Sequence, residues 1–383
     1  MIDRDPAVLR SFERTFETSG CTTFLASSTH EAMAILASRR IDILFADVLT
    51  EPGGMAFLID IREKFPDTVR VVLSAINDRN HLAKIAASGT AELCLLKPWI
   101  PAELVAVAKR LLAVYSKIRD KKLTATLSGF RSSTVMPDLY RRISAAIAND
   151  RPASEIASMM AEQPDVAARV LSLANRSLYG AEIGTVLGAI VYLGLDIVKN
   201  IVLAAELFSS GSNKSVAVAI RKISDHAECV CATTAGLHRV MFGKSVSPAH
   251  ATAGLFLDMG RLMLLNVAGN VYSDYVTGDS IVDTKHLVQI EEKNFGVGNP
   301  VAGAVVLDWW QMPAQFSEAV LNRFSPDSAG LIPQNVMAIL HIADAHAWRV
   351  IDKMKSEISP GALATLGISE VDVSNLIETA CHD

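Results

Sequence analysis

The spacing of apolar residues changes once along the chain, and that change limits what it can fold into. Up to about residue 116, short apolar runs alternate with stretches of helical spacing. Ile41–Ala46 is a continuous apolar run ending in Asp47, the pattern of a strand buried on both faces. Cys21–Ala26, Val69–Leu73 and Glu92–Leu96 read as further strands, and Ser28–Ser38, Met55–Lys64 and Arg79–Ala87 as helices. A last helix starts at Pro101, a residue suited to a first turn. Strands alternating with helices predict a doubly wound parallel sheet with helices on both faces. From Val135 strand signals nearly vanish. Helices are expected over 136–148, 154–161, 165–175, 187–193 and 196–208, with apolar residues recurring at three and four (Val166, Val170, Leu171, Leu173), so the remainder reads as all-α.

A length of 383 residues allows two or three domains, each with its own core. The formal charge of -5 argues against bulk binding to nucleic acid or an anionic membrane. Cysteines 21, 94, 229, 231 and 381 are scattered, Cys229-x-Cys231 is too tight for a usual zinc pair, and a reducing cytoplasm is expected. Acids and Arg from Asp3 onward leave no secretory leader pattern. The apolar stretch from Ile190 to Phe208 is broken by Asp196, Lys199, Asn200 and Glu206, so no membrane span is expected there.

In a parallel sheet of this kind the ligand site lies beyond the carboxyl ends of the strands. Asp3, Asp47, Ser74 and Lys97 all stand at such ends, so two carboxylates, a hydroxyl and an ammonium would converge on one rim. With Lys97-Pro98-Trp99, this set resembles a response-regulator receiver domain over residues 1–116. The resemblance implies a five-stranded, flavodoxin-like sheet in 2-1-3-4-5 order. It also implies Asp47 as phosphoacceptor, Ser74 as switch hydroxyl, Lys97 as phosphate contact, and a Mg²⁺ held by Asp3 and Asp47. Three features depart from the family. The second acid of the usual pair is Arg4, the aromatic switch position is Cys94, and the first strand is reduced to Met1-Ile2, from which we expect a native start further upstream. Asp5, before Pro6, reads as a helix-capping acid.

Helix Ala102–Leu112 runs into the basic stretch Lys117–Lys122, and Thr124–Thr134 reads as linker, giving a helical linker over 117–134. The string from Gln163 to Gly180 and the segment Ala189-Ile190-Val191-Tyr192-Leu193-Gly194 resemble the HDOD domain, an HD-related helical output domain of bacterial signalling proteins. We assign it to residues 135–350, with a helical tail over 351–383. Asn175 is expected to satisfy backbone groups in the loop that follows it. Trp309 and Trp310 read as helix-packing residues.

Ala253–Leu262 reads as one apolar helical run and is similar to the Gly-Leu-Leu-His-Asp-Ile-Gly segment of HD-superfamily metal phosphohydrolases, whose adjacent His and Asp bind metal. Here the His position is Leu257, and a hydrocarbon cannot ligate a cation. His226 matches the first ligand of that family, Asp258 the surviving half of the pair and Asp344 the last Asp. Asn299-Pro300 and Arg323-Phe324 stand where related cyclic-dinucleotide phosphodiesterases carry further ligands. His226, Asp258 and Asp344 therefore read as a vestigial site with no cofactor.

The resemblances imply a cytoplasmic two-component response regulator, phosphorylated at Asp47 by a histidine kinase or phosphotransfer protein. Its non-catalytic HDOD domain would act through protein contacts, with no nucleic-acid or membrane partner, and a homodimer is compatible. The rival reading is a receiver-regulated metal phosphohydrolase acting on a nucleotide or cyclic dinucleotide, since three ligands suffice for a catalytic metal. A third is a pseudo-receiver that serves as a dimerisation surface.

Overall fold

The computed structural model describes residues 1–47, 54–75, 90–115, 137–175, 183–208, 214–278, 283–310, 312–351 and 353–382. The expected helix over 79–87, the basic run 117–122 and the linker 117–134 lie outside these residues. The chain divides into two units, Met1–Thr124 with Leu307–Ala314, and Ala125–Val306 with Gln315–Asp383.

In the first unit, strands β1 (Ile43–Ala46), β2 (Val69–Ala75) and β3 (Leu93–Lys97) form a parallel sheet in the order β1-β2-β3. Ile2 extends it by single parallel bridges to Ala46 on one side and Ala26 on the other. Five segments are thus in the order 2-1-3-4-5, but the first two are joined to the sheet by single bridges through Ile2. Cys21–Ala26 forms no ladder of its own; Met1-Ile2-Asp3 meets it through the bonds from the Met1 ammonium to Phe24 O, from Asp3 N–H to Ala26 O and from Ala26 N–H to Met1 O. Helices α1 (Pro6–Phe16), α2 (Thr29–Ser38), α3 (Gly54–Lys64) and α4 (Pro101–Tyr115) accompany the sheet. Asp5 caps α1 as expected, accepting from Ala7 N–H at 2.8 Å, and Ser28 caps α2. Two apolar clusters flank the sheet, one built on Phe12, Phe16, Phe45 and Leu111 and the other on Leu36, Leu44, Leu58 and Ile61.

The second unit is helical: α5 (Asp138–Ala148), α6 (Ala153–Ala161), α7 (Pro164–Asn175), α8 (Val186–Leu193), α9 (Leu195–Leu207), α10 (Lys214–Phe242), α11 (Pro248–Ala253), α12 (Met259–Ala268), α13 (Asn270–Thr277), α14 (Thr284–Phe295), α15 (Asn299–Trp309), α16 (Ala314–Leu321), α17 (Gln334–Ile351), α18 (Pro360–Leu366) and α19 (Glu370–His382). Pro164 opens α7 where a break was expected, since a proline's missing N–H costs nothing in a first turn. Asn175 donates to Ile183 O at 2.7 Å and accepts from Ile183 N–H, so its amide satisfies backbone groups further along the chain. The apolar run at Ala253–Leu262 is not one helix. A 3-10 turn at Gly254–Phe256 separates α11 from α12, and Asp258 sits at the break with φ -95° and ψ 16°. Pro248–Ala268 is long and apolar enough to cross a membrane by length and composition, yet 83% of its most apolar 18 residues are buried.

Helices α12 and α15 meet backbone to backbone. A Cβ built on Gly260 would lie 1.8 Å from Asn299 O, and one on Gly303 would lie 2.7 Å from Gly260 N. Gly260→Ala must therefore push the two helices apart. A loss of at least ~1–3 kcal/mol is expected from such overpacking, read as a lower urea midpoint at unchanged slope. An unchanged midpoint would show that the helices are not in this contact.

Candidate functional site

The rim residues named from sequence come together. Asp47 directly follows β1. Lys97 is the last residue of β3, and Ser74, buried, lies within β2 opposite Leu96. The Lys97 ammonium donates to Asp47 Oδ2 at 2.6 Å and also to Asp3 Oδ2. The other Asp3 oxygen accepts from Asp5 N–H at 2.8 Å, which ties the site to the capped start of α1. Burial alone would lower the Lys97 pKa, but its bonds to Asp3 and Asp47 raise it. The Lys97 and Asp47 side chains remain 18% and 17% exposed, so the pair is open to solvent. Mg²⁺ is commonly held by one or two carboxylates with its other positions filled by water and phosphate oxygens. Two carboxylates converging on one cation, with Arg4 in place of a second acid, fit that minimal donor set. Cys94 is half-buried, and burial pushes its thiol up to about 12.

The second cluster lies among α10, α12, α14, α15 and α17, and is sealed. His226, Asp258, Arg261, Glu291, Asn299, Arg323 and Asp344 are each at most 1% exposed. His226 Nδ1 is 2.6 Å from Asp258 Oδ2, and its Nε2 is 3.2 Å from Asp344 Oδ1. The three matched HD positions are thus brought together, and Arg323 lies between the two carboxylates. Its Nε donates to Asp344 Oδ2 at 3.2 Å and its Nη2 to Asp344 Oδ1, a two-pronged grip. Its Nη1 donates to Asp258 Oδ1 at 2.8 Å and to the carbonyl oxygen of Leu257 at 2.7 Å. One guanidinium therefore faces both acids that would hold a metal, and it also takes the backbone oxygen of the residue that replaced the missing His.

A second layer surrounds this core. Arg261 Nε lies 3.4 Å from Asp258 Oδ1, and its guanidinium carbon is 3.8 Å from the Trp348 ring centroid. The His226 imidazole stacks on the same indole at 4.0 Å. Glu291 accepts from Tyr272 Oη at 2.6 Å and from Asn299 N–H and Nδ2 at 2.6 and 2.8 Å. Asn299, read from sequence as a lost ligand position, instead orders Glu291. Arg261, Tyr272, Glu291 and Trp348 were missed by sequence reasoning. The available signal was an Arg, an acid and a Tyr inside otherwise apolar helical stretches.

Desolvation disfavours every charge here; the partners prevail at His226, Asp258, Asp344 and Arg323, and burial prevails at Glu291. Burial pulls the His226 pKa down, yet Asp258 and Asp344 raise it above the ordinary value. Burial pushes Asp258 and Asp344 up, yet the charges of His226 and Arg323 hold both well below the carboxylate range. Burial raises Glu291, with Arg261 and the bonds from Tyr272 and Asn299 opposing it. Among the described residues no group of three or more His, Cys, Asp and Glu side chains is arranged to hold a metal ion.

Arg323→Met should cost about 3–5 kcal/mol by leaving two buried carboxylates without their cation. Arg323→Lys should recover only part of that, because an ammonium cannot span both acids. Urea denaturation of the three proteins measures this, and a Lys variant as stable as wild type would contradict the two-pronged geometry. The pH dependence is also fixed in sign. The stabilisation from a raised His226 is complete below the ordinary histidine pKa and is lost as pH rises through the raised value. That from Asp258 and Asp344 is present above the ordinary carboxylate value and is lost as pH falls through their lowered ones. His226→Gln should therefore abolish the alkaline decline in melting temperature and keep the acid one; an unchanged alkaline decline would assign it to another group.

Comparison with known proteins gives both units a family. Residues 134–326 match the model of the HDOD domain, and residues 1–109 match that of the response regulator receiver domain. Among curated proteins, the chain is 34% identical over 82 residues to the hydrogenase transcriptional regulatory protein HoxA of Cupriavidus necator, covering 21% of this chain and 17% of that one. It is 33% identical over 113 residues to the alginate biosynthesis transcriptional regulatory protein AlgB of Pseudomonas aeruginosa, covering 29% and 25%. The chain thus matches a quarter or less of the length of these relatives. Among solved structures, a Shewanella amazonensis protein provisionally named a phosphohydrolase aligns at 21% identity over 67% of this chain and 93% of its own, with a TM-score of 0.45. An HDOD domain protein of unknown function from Geobacter sulfurreducens aligns at 20% identity over 68% and 88%, with a TM-score of 0.44. The chain belongs to the HDOD family and joins to that domain an N-terminal receiver, the architecture of a two-component response regulator.

Proposed function

We propose that Asp47 accepts a phosphoryl group from a histidine kinase or phosphotransfer protein, and that the HDOD domain is a non-catalytic output acting through protein contacts. One contrast carries the proposal. Each unit gathers carboxylates around an internal cation, but only the Asp47 cluster is open to solvent, whereas Arg323 and its acids are fully enclosed. A phosphodonor can reach the first cluster. The acids and the guanidinium of the second are at most 1% exposed.

In the transfer, an Asp47 carboxylate oxygen bonds to phosphorus as the bond from phosphorus to the donor nitrogen breaks, and the donor imidazole leaves with that electron pair. Lys97, already 2.6 Å from Asp47 Oδ2, would turn its ammonium to the incoming phosphoryl oxygens. Asp3 and Asp47 would hold Mg²⁺, which supplies further neutralisation of phosphoryl charge when bound. Moving Lys97 from Asp3 to the phosphoryl group changes a contact that is anchored, through Asp5, to α1. Ser74, at the end of the neighbouring strand, is positioned to answer the added charge.

Incubation of the full chain with a small acyl phosphodonor and Mg²⁺, followed by intact-mass measurement, tests phospho-acceptance. A gain of one phosphoryl group, absent in Asp47→Ala and reduced at least tenfold in rate in Lys97→Ala, is expected. No gain, or a gain that survives Asp47→Ala, would refute it.

A further inference from the structure

Between α17 and α19 lies a groove of about 280 Å³ whose two walls carry charges of opposite sign. Its floor is apolar. Ile342 of α17 and Val373 and Ile377 of α19 are buried there, and half-buried Ile358 completes it. The polar lining follows from helix spacing. His346 and Arg349 come one and two turns after Ile342, on the same face of α17. Ser374 and Glu378, one turn apart, form the strip of α19 beside Val373 and Ile377.

The two charged ends are held apart. Arg349 donates from Nε at 3.2 Å and from Nη2 at 2.7 Å to the carbonyl oxygen of Ser356, which fixes the plane of its guanidinium without using Nη1. The same Nη2 lies 3.5 Å from Glu370 Oε1 at the start of α19. Glu378 is about 12 Å further along that helix, at the rise of an α-helix. Among the described residues its carboxylate has no hydrogen-bond or ion-pair partner, and neither does the Ser374 hydroxyl. His346 stands between the ends. Burial and the neighbouring Arg349 lower its pKa, so at neutral pH the ring is uncharged and offers one N–H and one acceptor.

We propose that this groove binds a dipeptide with aliphatic side chains, its ammonium at Glu378 and its carboxylate at Arg349. Length decides the class. Two extended residues span at most about 7 Å, and a charge-assisted hydrogen bond at each end adds about 2.8 Å, which together match the separation of the charged ends. A free α-amino acid carries both charges on one carbon and cannot reach both. The volume is below the usual range for ligand pockets, roughly 300–1,000 Å³, so nothing much larger is enclosed. The side chains would cover Ile342, Val373 and Ile377, while His346 and Ser374 meet the central peptide group. The Arg349–Glu370 pair is exposed on both sides, so a ligand carboxylate can replace Glu370 there at little cost. Such a site makes the HDOD domain a receptor for a small molecule, independently of phosphoryl transfer at Asp47.

Isothermal titration of the full chain at neutral pH with valyl-valine, N-acetyl-valyl-valine, valyl-valinamide and glycyl-glycine tests this. Valyl-valine should bind saturably at one site per chain. Each of the other three lacks the ammonium, the carboxylate or the aliphatic side chains, and should bind at least tenfold more weakly. Glu378 is exposed, so Glu378→Gln should leave the melting temperature unchanged while weakening valyl-valine at least tenfold. No saturable binding of valyl-valine, equal binding of N-acetyl-valyl-valine or valyl-valinamide, or binding unchanged by Glu378→Gln would each overturn the proposal.

Discussion

The grip of Arg323 on Asp258 and Asp344 is the interaction on which the helical domain depends. Each charge in that cluster is enclosed, and an enclosed charge without a partner costs several kcal/mol. The carboxylates Asp258 and Asp344 are tolerable there because Arg323, Arg261 and His226 face them, while Glu291 is held by Tyr272 and Asn299. The Arg323 guanidinium places positive charge between the two acids and supplies directional donors. Arg323 uses them to bind Leu257 O, and its own carbonyl fixes His341. These contacts make the cluster a knot joining α10, α12, α17 and the turn after α16.

The receiver uses the same physics with the opposite outcome. Lys97 also bridges two carboxylates, but its head group keeps contact with water, so its ion pairs can be exchanged for a new anion at modest cost. Pairing that is reversible where water reaches it suits a switch; the enclosed set suits a scaffold. The placement of each cluster follows from its elements, strand ends in one unit and helix interiors in the other.

The receiver site was legible in the sequence because strand ends declare themselves. A continuous apolar run that stops at Asp47 or Lys97 places that side chain on the rim without any knowledge of the fold. The five-segment order came with the receiver resemblance and not from spacing, and the thinness of the pairing at Ile2 and Ala26 depends on how few residues flank the bridge. In the helical domain, the loss at Leu257 was visible as a hydrocarbon in a ligand position. What filled the gap was not, because Arg323 lies 65 residues from Asp258 and 21 from Asp344 in the chain. Nothing in local spacing shows that a side chain read as a lost ligand turns back into the site. The 3-10 break before Asp258 was hidden for a related reason: turn and helix residues there are equally apolar, so periodicity carries no mark of it.

The central claim is that Arg323 holds the position a metal would take in a catalytic relative. Side-chain nitrogen NMR of the arginines in the full chain, recorded as Mn²⁺ is added, tests it most directly. The account predicts a slowly exchanging Arg323 Nε–H signal that keeps its intensity through a stoichiometric excess of Mn²⁺, while receiver signals near Asp47 broaden. Selective loss of the Arg323 signal at one equivalent of Mn²⁺ would place a metal among Asp258, Asp344 and His226 and contradict the account.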